Sequence, residues 1–364
     1  MKRIVVGLLF GGRSGEHEVS LRSASAVAQN LDDTKYEIIP IGIAKDGSWY
    51  GPVAIEDIIS FTPENYKGSE VTILPQPNNK LLLNINDFSK SIKLDVVFPI
   101  IHGTFGEDGT IQGLLELADI PYVGAGVLGS SAGMDKIAMK KIFADSKLPQ
   151  VKFAQVLRKE IEEDIEKVLD YIQKTFTLPI FIKPANLGSS VGISKVKKFE
   201  ELEASLLEAA KYDRKLIIEE GLEVREIEVS VLGNDGPKAS IAGEVIPCND
   251  FYDYKAKYVD DKSILKIPAE IDETTMKKVQ QLAIEAYKAL DCAGLARVDF
   301  FICKKTGEIL LNEINTLPGF TSISMYPKLW EESGLPMPEL LDQLINLAIE
   351  RYNEKSKNLT SFTS

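Results

Sequence analysis

Apolar runs and polar breaks alternate along the first third of the chain in the order of an α/β unit. Ile4 to Phe10 is uninterrupted apolar sequence ending in Gly11-Gly12, and Glu18-Val19-Ser20 then leads into apolar positions at helical spacing from Ala24 to Leu31. Tyr36 to Ile43 and Leu94 to Ile101 are further apolar runs of strand length. Strands without alternation are buried on both faces, so a mostly parallel sheet is predicted through about Val127. Lys45 to Lys93 is turn-rich and polar in places and reads as an elaborated connection.

From Gly129 the pattern changes. Met134, Ile137 and Ala138 recur at helical spacing, Pro149 breaks the chain, and Ile161 to Phe176 reads as a charged amphipathic helix. A strand at Ile180 to Ile182, a glycine loop and a helix from Phe199 to Tyr212 follow, closing near Lys215 to Glu220. Strands at Ile227 to Leu232 and Leu295 to Cys303 then mix with helices at Thr275 to Leu290 and Met337 to Tyr352. The expected division is a parallel-sheet α/β unit over residues 1–127, a central α+β unit over 128–217 and a third over 218–364. A chain of 364 residues with 44% hydrophobic content fits two or three domains of this size.

Composition narrows the chemistry. Lys+Arg 42 against Asp+Glu 54 gives a formal net charge of -12, which disfavours nucleic acid or an anionic membrane surface as partner. The three cysteines, Cys248, Cys292 and Cys303, have no C-x-x-C spacing and fit a reducing cytoplasm. Met1-Lys2-Arg3 before Ile4 to Phe10 is too short an apolar run for a secretory leader, and no segment has the ~20 apolar residues of a membrane span.

Two segments carry candidate chemistry. Leu295 to Asn315 reads as a β-hairpin around Lys304-Lys-Thr-Gly-Glu308. Side chains alternate along a strand, so Arg297 and Asp299 share one face and Glu313 and Asn315 another. Centred on Thr306, the hairpin sets Asp299 across from Glu313 and Arg297 across from Asn315. Two carboxylates and an amide oxygen suit Mg²⁺ shared with phosphates, and an adjacent arginine can neutralise developing charge. The same alternation is equally that of a solvated strand face with an Arg-Asp pair. The second segment, Ile180-Phe-Ile-Lys-Pro-Ala-Asn-Leu-Gly-Ser-Ser-Val-Gly192, delivers Lys183 and then small residues whose N–H groups can approach phosphate. A plain surface turn reads the same, and the segment matches neither the Walker pattern nor G-x-G-x-x-G.

In order, a lysine before a glycine-rich flap, Arg-x-Asp and Glu-x-Asn resemble the ATP-grasp superfamily, in which ATP lies between two α+β subdomains. Further stretches extend the likeness: Gly11-Gly-Arg-Ser-Gly-Glu-His-Glu-Val-Ser20, His102-Gly-Thr-Phe-Gly-Glu-Asp-Gly109, Met134-Asp-Lys136, Gly188-Ser-Ser-Val-Gly192, Tyr252-Asp-Tyr-Lys-Ala-Lys-Tyr258 and Asn315-Thr-Leu-Pro-Gly-Phe-Thr321. Together they resemble the D-alanine–D-alanine ligase family over nearly the whole chain. The implied fold is an N-terminal parallel-sheet (preATP-grasp) domain followed by a two-subdomain ATP-grasp fold. The implied activity is ATP-dependent joining of two D-alanines through an acylphosphate, for peptidoglycan precursor synthesis.

The resemblance also implies roles. Asp299, Glu313 and Asn315 would bind two Mg²⁺ (or Mn²⁺) ions. Lys136, Lys183 and Lys257 would contact the ATP phosphates, Glu219 and Leu222 would line the adenine slot, and Glu226 would hold the ribose, with Ser190 in the same ATP-binding set. Glu16 would hold the ammonium of the first D-alanine, although an acidic residue there also suits a helix N-terminus. His102 would lie near the first substrate, where a structural loop histidine is nearly as natural. Arg297 and the N–H of Gly319 would stabilise a tetrahedral oxyanion. Ser324 and Met325 would receive the second substrate's carboxylate, and Ser189 belongs to the catalytic set. Residues Asn249 to Tyr258 read as a loop able to close over the site, and Tyr258 goes with D-alanine as second substrate. The family further implies a homodimer. Two other readings stand beside it: an ATP-grasp ligase for another amino acid or D-lactate, and a nucleotide-binding regulator without turnover.

Overall fold

A computed structural model of the chain describes residues 2–66, 68–77, 79–188, 191–246 and 264–359. Among these residues the strands form three sheets. The first runs in the order Ile92–Lys93, Leu81–Asn84, Ser69–Ile73, Trp49–Gly51, Tyr36–Ile43, Ile4–Gly11, Val96–Ile100. Its last three strands pair in parallel, as expected. Residues 45–93 are more than a connection: they extend the sheet by antiparallel pairing.

The uninterrupted apolar run of Ile4–Gly11 is explained by what covers each face. Val6, Leu8 and Phe10 pack with the helix His17–Asn30 and with Leu340, Leu341, Leu344 and Ile345 of the C-terminal helix Met337–Lys355. Leu9 faces the other way, toward Ile111 and Leu115 of the helix Thr110–Leu117. One core therefore joins the two ends of the chain.

The second sheet runs Ser194–Val196, Ile180–Pro184, Lys215–Glu220, Phe153–Leu157, and the third Ile264–Lys266, Lys238–Ile246, Val224–Leu232, Leu295–Cys303, Ile309–Asn315. All their pairings are antiparallel. In the third sheet Ile227, Val229, Val298 and Phe300 pack against Val279, Leu282 and Ala286 of the helix Glu273–Ala289. Alternation then puts Glu226, Glu228, Arg297 and Asp299 on the opposite face.

Two expected helices are each split by an aspartate. Asp164 accepts from Lys167 N at 3.1 Å and separates Arg158–Glu163 from Ile165–Thr175. Asp135 is extended, accepts from the N–H groups of Ile137 and Ala138 at 3.1 and 3.0 Å, and separates Val127–Met134 from Lys136–Asp145. A carboxylate that satisfies two N–H groups of a first turn fixes a new helix start there, whatever the apolar spacing across it. Asp135 is also ion-paired to Lys215 of the second sheet, which fastens this start to the central unit.

Candidate active site

A cleft of about 260 Å³ opens where the three sheets meet. Nine of the predicted residues line it: Glu16, His102, Lys136, Arg297, Glu313, Asn315, Gly319, Ser324 and Met325. They come from every part of the chain.

The hairpin supplies the polar floor. In register, Asp299 faces Glu313 and Arg297 faces Asn315, and a register shift follows directly after Asp299, where Phe300 pairs with Leu311. Asn312 is thus the extra residue of a β-bulge. Its consequence is visible in the burial of Leu311 and Ile314, which both enter the core although they are three apart. Without the bulge the pairing set at the turn would carry Asn312 opposite Asp299, and Glu313 would exchange faces.

Arg297 Nε donates to Asp299 Oδ1 and Nη2 to Oδ2, both at 2.7 Å, and Nε also lies 2.9 Å from Glu228 Oε2. Burial works against the guanidinium's charge, but Asp299 and Glu228 outweigh it and raise its pKa well above the ordinary value. Glu228 stands opposite Asp299 on the strand Val224–Leu232, so Glu228, Asp299 and Glu313 form a row across three strands.

Lys136, in the first turn of Lys136–Asp145, spans two elements. Its Nζ donates to Leu187 O in the glycine flap at 2.9 Å and lies 3.7 Å from Glu313 Oε2. Lys183 and Glu219 do not line this cleft. They form a buried triad with Lys140: Lys183 Nζ is 2.6 Å from Glu219 Oε2, and Lys140 Nζ is 2.8 Å from Glu219 Oε1. The Lys140 contact lacks hydrogen-bond alignment. Burial pushes the Glu219 carboxyl up, but the two ammonium groups prevail and hold it down at about 2. Burial likewise opposes the charge on Lys183, whose pKa is nonetheless raised by Glu219 and Glu313. Leu222 and Glu226 lie outside the cleft, and Glu226 joins the carboxylates whose charge acts on Lys183.

On the first unit's side, His102 Nε2 is 3.0 Å from Ser23 Oγ and Nδ1 is 3.2 Å from Leu317 O and 3.4 Å from Glu107 Oε1. Burial raises the Glu107 carboxyl; the His102 contact opposes this and the charge of Glu16 adds to it. Glu16 stands at the N-cap position of His17–Asn30 without capping it through its side chain. Gly103 takes a φ of +77°, which favours glycine, and a Cβ there would come 2.6 Å from Glu16 Oε2, so the loop after His102 passes close to the carboxylate. Gly319 is crowded in the same way, with Ser324 Oγ 2.7 Å from where its Cβ would be. Ser324 Oγ accepts from Thr321 N at 3.0 Å and stands beside the N-terminus of the helix Met325–Glu332, whose first N–H groups have no helical partner.

Ser189, Ser190, Lys257 and Tyr258 lie outside the described residues. The sequence reading passed over Glu107 and Glu228, which line the cleft, and Lys140, which joins the Glu219 triad outside it. Glu107 lay inside a noted motif, whereas Lys140 and Glu228 looked like ordinary helix and strand charges.

The donor set on the hairpin is all oxygen, which fits Mg²⁺ rather than a softer metal. Among the described residues no three His, Cys, Asp or Glu side chains are gathered tightly enough to hold an ion as they stand. Arg297 occupies Asp299, and Asn315 Oδ1 accepts from Leu317 N at 3.0 Å.

The chain matches a family model described as D-ala D-ala ligase N-terminus over residues 5–125 and one described as D-ala D-ala ligase C-terminus over residues 142–346. It is 52% identical, over 100% of both chains, to a D-alanine--D-alanine ligase of Natranaerobius thermophilus, and 52% identical to that of Thermoanaerobacter sp. over 98% of this chain and 99% of the relative. Among solved structures it is similar to the D-alanine-D-alanine ligase from Coxiella burnetii, with TM-score 0.85, 38% identity and coverage of 98% and 97%. A D-Ala:D-Ser ligase from Enterococcus faecalis is similar at TM-score 0.86 and 39% identity, covering 95% of this chain and 100% of that one. With both family models matched in order along one chain, and an ATP-grasp fold shared with these structures, the protein belongs to the D-alanine–D-alanine ligase family.

Proposed function

We infer that this chain joins two D-alanines at the expense of ATP, forming D-alanyl-D-alanine for cell-wall precursor synthesis. The observation that carries the catalytic reading is the convergence of Arg297, Glu313, Lys136, Glu16 and Gly319 on one cleft. The first D-alanine's carboxylate takes the γ-phosphoryl group, leaving ADP. The second D-alanine's amine then attacks the acylphosphate carbon, and phosphate leaves from the tetrahedral intermediate.

Each step needs charge handled out of water. Glu16 holds the first ammonium, with His102 and Glu107 beside it. Arg297 and the Gly319 N–H face the oxyanion. Ser324 and the helix N-terminus at Met325 receive the second carboxylate. Lys136 and Lys183, with Lys257 and Ser190, hold phosphate oxygens; Glu219, Leu222 and Glu226 serve the base and ribose. Ser189 and Tyr258 complete the catalytic set from segments outside the described residues. Asp299, Glu313 and Asn315 would hold two Mg²⁺ or Mn²⁺ ions, which when bound neutralise phosphate charge and orient the transferring group. Three parts, 1–127, 128–217 and 218–364, accord with the three sheets, except that the strand Lys215–Glu220 of the second sheet runs past the boundary at 217.

A cytoplasmic setting accords with the free Cys292 and Cys303 and with the lack, among the described residues, of any helix long and apolar enough to cross a membrane. A homodimer through the first unit accords with the exposed apolar side chains of Leu117 and Val127. Analytical ultracentrifugation tests the dimer.

ADP release measured with D-alanine alone, with D-alanine plus D-serine or D-lactate, and with L-alanine tests the substrate. Turnover with D-alanine alone is expected. A requirement for D-serine or D-lactate, or activity with L-alanine only, would replace this reading.

A further inference from the structure

Arg297 is bound to two carboxylates at once, and a metal ion held by Asp299 would take one of them away. Both of its bonds to Asp299 use the oxygens that a cation would need, and a guanidinium and a metal are rivals for the same lone pairs. A side chain as buried as Arg297, 19% exposed, cannot give up its partner without another charge to meet it. Glu228 Oε2 already lies 2.9 Å from Nε, from a side chain 14% exposed on the adjoining strand. The next residue on that strand face, Ser230, points its hydroxyl to Tyr326 O at 3.2 Å, so the carboxylate opposite Asp299 is Glu228.

We propose that Glu228 is a positioning residue that retains Arg297 at the cleft when Asp299 turns to the metal, so that loading the site moves the guanidinium from two carboxylates to one. This rests on Asp299 and Glu313 being metal ligands. It makes Glu228 the residue that lets a single strand, Arg297-Val-Asp299, offer a cation and a metal ligand from adjacent positions on one face without the two neutralising each other.

The test is Mn²⁺ affinity, read by the paramagnetic resonance of free Mn²⁺ without turnover, in wild type, Glu228→Gln, Arg297→Gln and the double variant. Glu228→Gln leaves the guanidinium with Asp299 alone and is expected to weaken Mn²⁺ about tenfold, a coupling of ordinary size for groups in contact. In the Arg297→Gln background the same change should have little effect. The steady-state counterpart is a lowered kcat in Glu228→Gln with KM for ATP little altered. Equal weakening in both backgrounds would mean that Glu228 acts on the metal directly, and wild-type affinity in Glu228→Gln would mean that it does not act; either overturns the proposal. Should Glu228→Gln fail to fold, Glu228→Asp carries the same cycle with the charge retained and the reach shortened, and an intermediate weakening confined to the Arg297 background is expected. Asp299→Asn separates the two readings: undiminished Mn²⁺ affinity there would sink the metal assignment itself.

Discussion

Glu313 and Glu219 are both acidic residues of the ATP-grasp half, yet their surroundings give them different work. Glu313 lines the cleft, within 3.7 Å of Lys136, and its replacement by glutamine keeps shape while removing charge. Loss of a metal-held charge of several kcal/mol corresponds to a fall in kcat of about a hundredfold or more. Glu313→Gln is therefore expected to be almost inactive in ADP release while its thermal unfolding stays close to wild type, and undiminished activity would refute the metal assignment. Glu219 is instead a buried counter-charge. Glu219→Gln would leave Lys140 and Lys183 without the carboxylate they share, a change that costs about 3–5 kcal/mol when a buried pair is broken, read by urea unfolding. The sign of its pH dependence follows from its depressed pKa. A carboxyl held at about 2 in the folded chain, against an ordinary 4.5, contributes stability that is fully present above about 4.5 and lost as pH falls toward 2. Acid unfolding of Glu219→Gln should accordingly be flatter than wild type across that window.

At the scale of the element, the hairpin Leu295–Cys303 to Ile309–Asn315 was legible to the residue. Its strands, its turn and the facing of Asp299 and Glu313 follow from period-two alternation and the Lys304-Lys-Thr-Gly-Glu308 break. The bulge at Asn312 was not legible, since counting outward from Thr306 reaches the right partners only because the bulge absorbs one residue on the way. Deleting Asn312 removes the extra residue and leaves Glu313 across from Asp299 on the cleft face, so turnover is expected to survive; loss of turnover in a deletion variant that still folds would show that the bulge's own geometry positions Glu313. The two split helices failed for a related reason. Apolar spacing continues across Asp135 and Asp164, but an aspartate side chain competes with the preceding turn for the next N–H groups, and which wins depends on partners such as Lys215 that are distant in sequence.

Over the whole molecule, the C-terminal helix belongs to the core of the N-terminal unit. Leu340, Leu341, Leu344 and Ile345 are fully buried against the first sheet, Asp342 accepts from Tyr36 Oη at 2.8 Å, and Arg351 donates to Tyr122 O at 3.0 Å. A chain ending at Gly334 should therefore lose the N-terminal unit's cooperative unfolding as well as the helix, which hydrogen exchange of Ile4–Gly11 would report; native protection there would refute the shared core. No local pattern announces this, because an amphipathic helix records that one face is covered and not by what.

The sequence by itself determined the principal strands and helices, the alternation that brings Arg297, Asp299, Glu313 and Asn315 to common faces, and the ordered motifs that carry the family. Those properties are local, fixed by side-chain period, turn chemistry and residue type within a few positions. Only the tertiary structure decided that Glu228 joins Asp299 and Glu313 in one row, that Lys140 and Lys183 share Glu219, and that Arg297 holds Asp299. The strand order and the pairings of Glu228 and Glu219 arise between segments tens of residues apart, where electrostatic and packing energies depend on distances that exist only once the chain has folded.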